Sequence, residues 1–311
     1  MISIVVPVYN EEESLEAFFI VLSEELEKIE YSSEIIFIDD GSTDRSLEIL
    51  KNISEKEKNI RIFSFRKNQG KAEALTLGFL KANGEFIVTL DADLQDRPSE
   101  ILILLNKMKE GYDLVCGWRK NRKDVFSKII SSRLFNLIAR NLWGLSLHDY
   151  NCGLKLYTKE AAKSLYLYGG MHRFIPLIIF QEGFSVGEIE ITHDIRKYGK
   201  SKYGFSKIWK DLPDIFTMFF IGKYAKRPLH FFGGLGSLFF ILGIIILSYL
   251  SVIHFQGETI GSRPLLFLGM LLILSGFQIL FTGFIADLIN NIFQKSGVKE
   301  IQSSLKYSNE K

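Results

Sequence analysis

The sequence predicts an α/β domain built on a mostly parallel sheet, followed by two membrane-spanning helices. Three observations lead there. Up to about residue 116, short apolar runs alternate with segments of helical periodicity. Residues 229–253 and 265–286 contain no formally charged side chain. The chain is 47% hydrophobic, which is ordinary, yet 24% charged with a mean hydropathy of +0.12, so its apolar residues are concentrated rather than spread.

The elements follow in order. Residues 2–9 form a near-continuous apolar run with Pro7 near its end, which reads as a buried strand. Residues 11–29 place Leu15, Phe18, Leu22, Leu26 and Ile29 on one helical face. Strands are then predicted at 34–39, 60–65, 86–90 and 113–116, with helices at 44–56, 71–82 and 99–109 between them. Apolar strands separated by helices imply a sheet covered on both faces.

Each charge-free run exceeds the roughly 20 residues that cross a hydrocarbon core. Buried core helices are the competing explanation. Two such runs in tandem, joined by the short polar link 254–264, point instead to a transmembrane hairpin. Gly233, Gly234, Gly236 and Gly243 on one run and Gly269, Gly276 and Gly283 on the other allow close helix contact. Lys223, Lys226 and Arg227 precede the first run, and Lys295 and Lys299 follow the second. The link carries only Arg263 against Glu258. The positive-inside rule then places both ends in the cytoplasm. Residues 2–8 lack the basic start and cleavage site of a signal peptide.

The net charge of +2, from 38 basic and 36 acidic residues, argues against a nucleic-acid binder. Cys116 and Cys152 have no metal-motif spacing, and the five histidines form no His-x-x-x-His pair.

Ligands of open α/β sheets bind beyond the carboxyl ends of the strands. Four polar clusters fall there. They are Pro7-Val8-Tyr9-Asn10-Glu11, Asp39-Asp40-Gly41-Ser42-Thr43-Asp44, Asn68-Gln69-Gly70-Lys71 and Asp91-Ala92-Asp93-Leu94-Gln95-Asp96. Any one could be an ordinary turn, with Asp44 as a helix N-cap; four in register indicate a site. Asp91 and Asp93, two apart at a strand end, are expected to point the same way. Their mutual repulsion is relieved by a hard divalent cation, Mg²⁺ or Mn²⁺, to which Gln95 can add a neutral oxygen.

In order and spacing, the motifs V-P-V-Y-N-E, D-D-G-S-T-D, N-x-G-K-x-x-A-L and D-A-D-L-Q-D-x-P resemble those of family 2 glycosyltransferases with the GT-A fold, a Rossmann-like nucleotide-binding fold. The resemblance covers about residues 1–209. It is greatest to the dolichyl-phosphate mannose synthase and bacterial polyprenyl-phosphate glycosyltransferase branch, whose membrane-anchored members the hairpin matches. It implies that Pro7, Tyr9, Glu11 and Asp40 hold base and ribose. By the same resemblance, Lys71, Asp91, Ala92 and Asp93 complete the donor site, and Asp91, Asp93 and Gln95 hold the metal.

Residues 125–147 are amphipathic and basic, which fits either a surface helix packed on the sheet or a membrane-interface helix; residues 205–224 are similar and run into the first span, which favours the interface there. The resemblance implies that Arg119 and Arg133 contact the acceptor phosphate, although Leu137 stands where the family has a serine. It also implies that Arg196 and Lys202, within Arg196-Lys197-Tyr198-Gly199-Lys200-Ser201-Lys202, clamp the donor pyrophosphate. Asp149, in a segment resembling D-x-x-x-G-F-R, is the candidate acceptor-side carboxylate.

The expected activity is inverting transfer of a sugar, from a UDP-sugar such as UDP-glucose or from GDP-mannose, to undecaprenyl or dolichyl phosphate. The expected division is a cytoplasmic catalytic domain at 1–204, a juxtamembrane helix at 205–228, and a hairpin (229–253 and 265–289) with a short cytoplasmic tail to 311. Homo-oligomerisation stays open. The alternatives are transfer to another lipid acceptor, a processive polysaccharide synthase and a non-catalytic membrane-tethered nucleotide-sugar binder or scaffold. The processive reading lacks its Q-x-x-R-W motif and further spans. Intact Asp91, Asp93, Gln95, Arg196 and Lys202 argue against the non-catalytic one.

Overall fold

The computed structural model describes residues 1–120, 144–194, 220, 224 and 227–304, with the side chains of 290–304 excepted. The chain divides into two compact units, Met1–Met218 and Phe219–Lys311.

Seven strands form one sheet in the first unit, in the order β3-β2-β1-β4-β6-β5-β7. They are β1 (Ile2–Val8), β2 (Ser33–Asp39), β3 (Ile60–Ser64), β4 (Phe86–Thr89), β5 (Leu114–Trp118), β6 (Lys155–Thr158) and β7 (Val186–Glu190). The helices are α1 (Leu15–Leu26), α2 (Ser46–Lys56), α3 (Lys71–Lys81), α4 (Ile101–Met108), α5 (Lys159–Ser164) and α6 (Ile175–Gln181). The predicted strands and helices up to β5 are all present, with ends differing by a few residues.

The sheet is mixed rather than simply parallel, because β6 runs antiparallel to both β4 and β5. Alternation along β1 explains the two covered faces. Ile2, Ile4, Val6 and Val8 pack with α1, α2 and α4, whereas Val5 packs with α3, α5 and α6. Strand order reverses at β1, between β2 and β4, and such a switch point opens a crevice at the strand ends. Parallel register brings Val8 level with Asp39, and Asp39 level with Ser64, so the loops after β1, β2 and β3 leave at one height.

The helix expectation for 125–147 is corrected at its end. Residues 144–147 are not helical: Gly144 has φ +74°, and Leu145 and Leu147 turn into the core. The rest of that segment lies outside the described residues, as does 205–224 apart from Phe220 and Tyr224.

The second unit contains α7 (Pro228–Phe255) and α8 (Pro264–Ser304). Both are long and apolar enough to cross a membrane, α8 through Ile289. Their glycines make the seam between them. A Cβ on Gly236 would stand 2.7 Å from the Gly276 carbonyl oxygen, and one on Gly243 would stand 2.8 Å from that of Gly269. Away from the seam Ile245, Leu274 and Phe281 are exposed, which a pair of soluble core helices would not permit. Arg263 pairs with Glu258 in the link.

Candidate active site

The loops after β1 and β2 are stitched to each other. Asn10, at φ +52°, donates its backbone N–H to Ser42 Oγ and accepts from the Thr43 N–H at 2.7 Å. The Glu11 N–H donates to Ser46 Oγ at 2.9 Å. Asp44 accepts from the Ser46 and Glu12 amides at 2.9 and 3.2 Å. Burial alone would raise its pKa, but these bonds and the Ser46 hydroxyl hold the carboxyl below its ordinary value. The N-cap of α2 is Arg45 and not the foreseen Asp44, whose carboxylate instead ties the two loops together.

Asp40 is buried and faces the loop after β3. Its carboxylate accepts from Asn68 Nδ2 at 2.9 Å, from the Gln69 N–H at 2.7 Å and from the Gly70 N–H at 3.0 Å. Burial nevertheless pushes its pKa up, against those amide bonds. In this geometry Asp40 organises the rim from behind.

After β4 the chemistry changes from backbone donors to side-chain cations. Lys71 Nζ bonds both Asp91 oxygens, at 2.6 and 2.7 Å. Burial would raise the Asp91 pKa, but the Lys71 charge and hydrogen bond, with Lys155 and His172, hold it below the ordinary carboxylate value. The premise that Asp91 and Asp93 share one side of a strand does not hold. β4 ends at Thr89, the chain turns, and Leu94 takes φ +56°. Asp93, largely buried, folds back to accept from the Gln95 N–H at 3.1 Å. Lys71 therefore supplies a cation to Asp91 that spacing alone assigned to a metal. Among the described residues no three His, Cys, Asp or Glu side chains converge as a metal cage. Asp93 and Gln95 still fit the oxygen chemistry of Mg²⁺ or Mn²⁺, which take few protein ligands and draw the rest from phosphate and water.

The segment before β6 brings together two residues expected on the acceptor side. Arg119 donates from Nε and Nη2 to the two Asp149 oxygens at 2.7 and 3.1 Å, with both side chains nearly buried. Both were foreseen singly; their pairing was not. Beside them Trp118 stacks on His148, with ring centroids 4.1 Å apart. Lys155 is buried, donates to the Cys152 carbonyl, and lines a narrow cleft with Lys71, Asp91 and His172. Lys155 was legible in the sequence as the residue at the arginine position of the D-x-x-x-G-F-R-like segment, whereas His148 and His172 escaped it, because single histidines carry no spacing signal. Burial pushes the Cys116 thiol up to about 12 and raises that of Cys152 well above the ordinary range, so neither is poised as a nucleophile. Pro7, Tyr9, Glu11 and Ala92 sit at or beside the rim formed by the loops after β1 and β4. Arg133, Arg196 and Lys202 lie outside the described residues.

Acidic side chains with lysine and arginine partners thus meet at the switch point of the mixed sheet. The family model for glycosyl transferase family 2 matches residues 3–166, more than half of the chain, and the protein belongs to that family. It is 36% identical over 300 residues to a dodecaprenyl-phosphate galacturonate synthase of Rhizobium johnstonii, covering 94% of this chain and 89% of that protein. It is 31% identical over 295 residues to an undecaprenyl-phosphate 4-deoxy-4-formamido-L-arabinose transferase of Photorhabdus laumondii, with the same coverage of 94% and 89%. The chain also shares its fold with glucosyl-3-phosphoglycerate synthase of Mycobacterium tuberculosis in complex with UDP. That match has a TM-score of 0.55 at 20% identity and covers 71% of this chain and 79% of the other. The same enzyme has been solved with Mn²⁺ and UDP-glucose.

Proposed function

We propose that this protein transfers a sugar from a nucleotide-sugar donor to the phosphate of a membrane polyprenyl phosphate, inverting the anomeric centre. One observation carries the reading. Identity to two kinds of polyprenyl-phosphate sugar transferase extends over 94% of the chain, so it takes in the apolar hairpin as well as the catalytic unit. A UDP-sugar is the first donor class to test and GDP-mannose the second. The division into a catalytic domain (1–204), a juxtamembrane helix (205–228) and a hairpin with its tail (229–311) follows from the same reading. The basic flanks support a cytoplasmic catalytic domain.

The chemistry follows from charge. Pro7, Tyr9, Glu11 and Asp40 belong to the base and ribose end of the donor. Asp93 and Gln95, with Asp91, would hold Mg²⁺ or Mn²⁺, whose chemistry there would be to offset negative charge on the diphosphate. Lys71, Arg196 and Lys202 add positive charge on the donor side. The acceptor phosphate is largely dianionic at pH 7, its second pKa being about 6, and so needs little help from a base. That agrees with Asp149, whose two carboxylate oxygens both accept from Arg119. Asp149 orients Arg119, whose Nη1 takes no part in the pair, and Arg119 with Arg133 meets the acceptor phosphate.

The test incubates membranes containing the protein with labelled nucleotide sugars, Mg²⁺ or Mn²⁺, and undecaprenyl or dolichyl phosphate. Lipid-linked label with at least one donor is the expected result. Its absence with every donor refutes the reading.

A further inference from the structure

Asp96 closes the Asp91–Asp96 motif but has no part in the chemistry above. Its carboxylate is buried, and its contacts reach two distant segments. Oδ2 accepts from the Leu154 N–H at 3.3 Å and faces the Cys152 thiol at 3.8 Å. Oδ1 lies 3.1 Å from His193 Nδ1, within a pair whose side chains are 5% and 3% exposed. The backbone joins in: Asp96 bridges His193 in antiparallel fashion, and the Asp194 N–H donates to the Gln95 carbonyl at 2.8 Å. Next to it, Arg97 forks onto Asp194 at 2.6 and 2.9 Å.

The second segment presses on the same motif from the other side. Thr89 Oγ1 donates to the Gly153 carbonyl at 2.8 Å. A Cβ on Gly153 would stand 2.7 Å from Asp91 Oδ2 and 3.2 Å from Asp96 Oδ2. The metal-and-donor turn, the Asp149–Leu154 segment and the His193–Asp194 segment therefore meet at one buried carboxylate. Carboxylate oxygens accept hydrogen bonds, and here the other two segments supply the partners.

We infer that Asp96 is a positioning residue: it sets the placement of Asp91 and Asp93 relative to the acceptor-side Arg119–Asp149 pair by joining the three segments. This rests on the functional reading above. A carboxylate serving only the core would affect folding. One that sets the relation between donor and acceptor groups affects turnover in the folded enzyme.

The experiment compares full-length wild type, Asp96→Asn and Gly153→Ala with the best donor found for the wild type. Asn keeps the shape, and its oxygen can still accept from Leu154 while its amide faces His193 in the other tautomer. Gly153→Ala leaves the Asp96 side chain in place and perturbs the same junction from the opposite side, pressing on Asp91 Oδ2 and Asp96 Oδ2. Both variants are expected to keep their Tm within about 4 °C of wild type. Both are expected to lose about 10- to 100-fold in kcat/KM, with part of the loss in donor KM, as changes to residues that orient a ligand-binding group do. Kinetics within twofold of wild type in both variants overturn the inference, whether or not Tm falls. A wild type inactive with every donor refutes the functional reading itself, and the inference with it.

Discussion

The two halves of the rim satisfy their carboxylates in different ways. After β1, β2 and β3, Asp40 and Asp44 are bonded mainly by backbone N–H groups of neighbouring loops. After β4, and before β6, Asp91 and Asp149 are bonded by Lys71 and Arg119. A backbone amide cannot leave without unfolding a loop. A lysine side chain can exchange its carboxylate for a phosphate or give it up to a metal ion. On the function proposed above, the first half would be architecture for the nucleotide, and the second would carry the exchangeable charge that group transfer needs.

The largest effect should come from the exchangeable half. Asp93→Ala should lower transfer by at least about 1000-fold, a loss of several kcal/mol of charge stabilisation, while nucleotide-free folding is retained. Unchanged turnover would refute the metal assignment. Arg119→Ala should destabilise the catalytic unit by about 3 kcal/mol, because it removes the guanidinium that bonds both oxygens of the buried Asp149. Adding Asp149→Asn should recover much of that stability in denaturant titrations but none of the transfer. Recovery of transfer would show the pair to be merely structural.

Lys71→Met sharpens the contrast. With no ammonium on Asp91, donor-free Mn²⁺ binding should tighten by about tenfold, equivalent to ~1.4 kcal/mol, while transfer falls. Weaker Mn²⁺ binding would mean that Lys71 organises the turn instead of standing in for a cation. Asp40→Asn tests the architectural half. One acceptor is lost among three donors, so stability should drop by about 1–2 kcal/mol, read as a lowered denaturation midpoint.

The smallest effect lies far from the rim. Glu34 is buried and accepts from Ser3, the Asn83 amide and Arg61. Burial alone would raise its pKa, but these bonds and the Arg61 charge bring it below its ordinary 4.5. Its stabilising contribution is complete above pH 4.5 and fades as pH falls through its lowered folded value. Glu34→Gln should cost about 1 kcal/mol at pH 7, and the gap to wild type should narrow on acidification. A gap that widened below pH 4 would contradict that sign.

The sequence disclosed the local features well. Apolar runs with helical segments between them revealed β1 to β5, and the absence of charge revealed α7 and α8. It did not disclose β6, because Lys155–Thr158 is four residues long and begins with a buried lysine. Nor did it disclose β7, where Val186–Glu190 alternates too weakly to stand out. The site residues were named through motifs, but their pairings were not. Lys71 and Asp91 are 20 residues apart, Arg119 and Asp149 are 30, and Asp96 and His193 are 97. Contacts of that range are made by the sheet order, which inserts an antiparallel strand that no periodicity announced. The one physical premise that failed, the shared side of Asp91 and Asp93, failed because the strand stopped two residues before the pair.

The central claim is transfer onto a polyprenyl phosphate. Purified protein, given its best donor and a divalent cation with or without undecaprenyl phosphate, tests it most directly when lipid-linked sugar and released nucleoside diphosphate are both measured. The account predicts equal amounts of the two, dependent on the lipid phosphate, with a β-linked product from an α-linked donor. Nucleoside diphosphate released without any lipid-linked sugar, or no release at all with any donor, would contradict it.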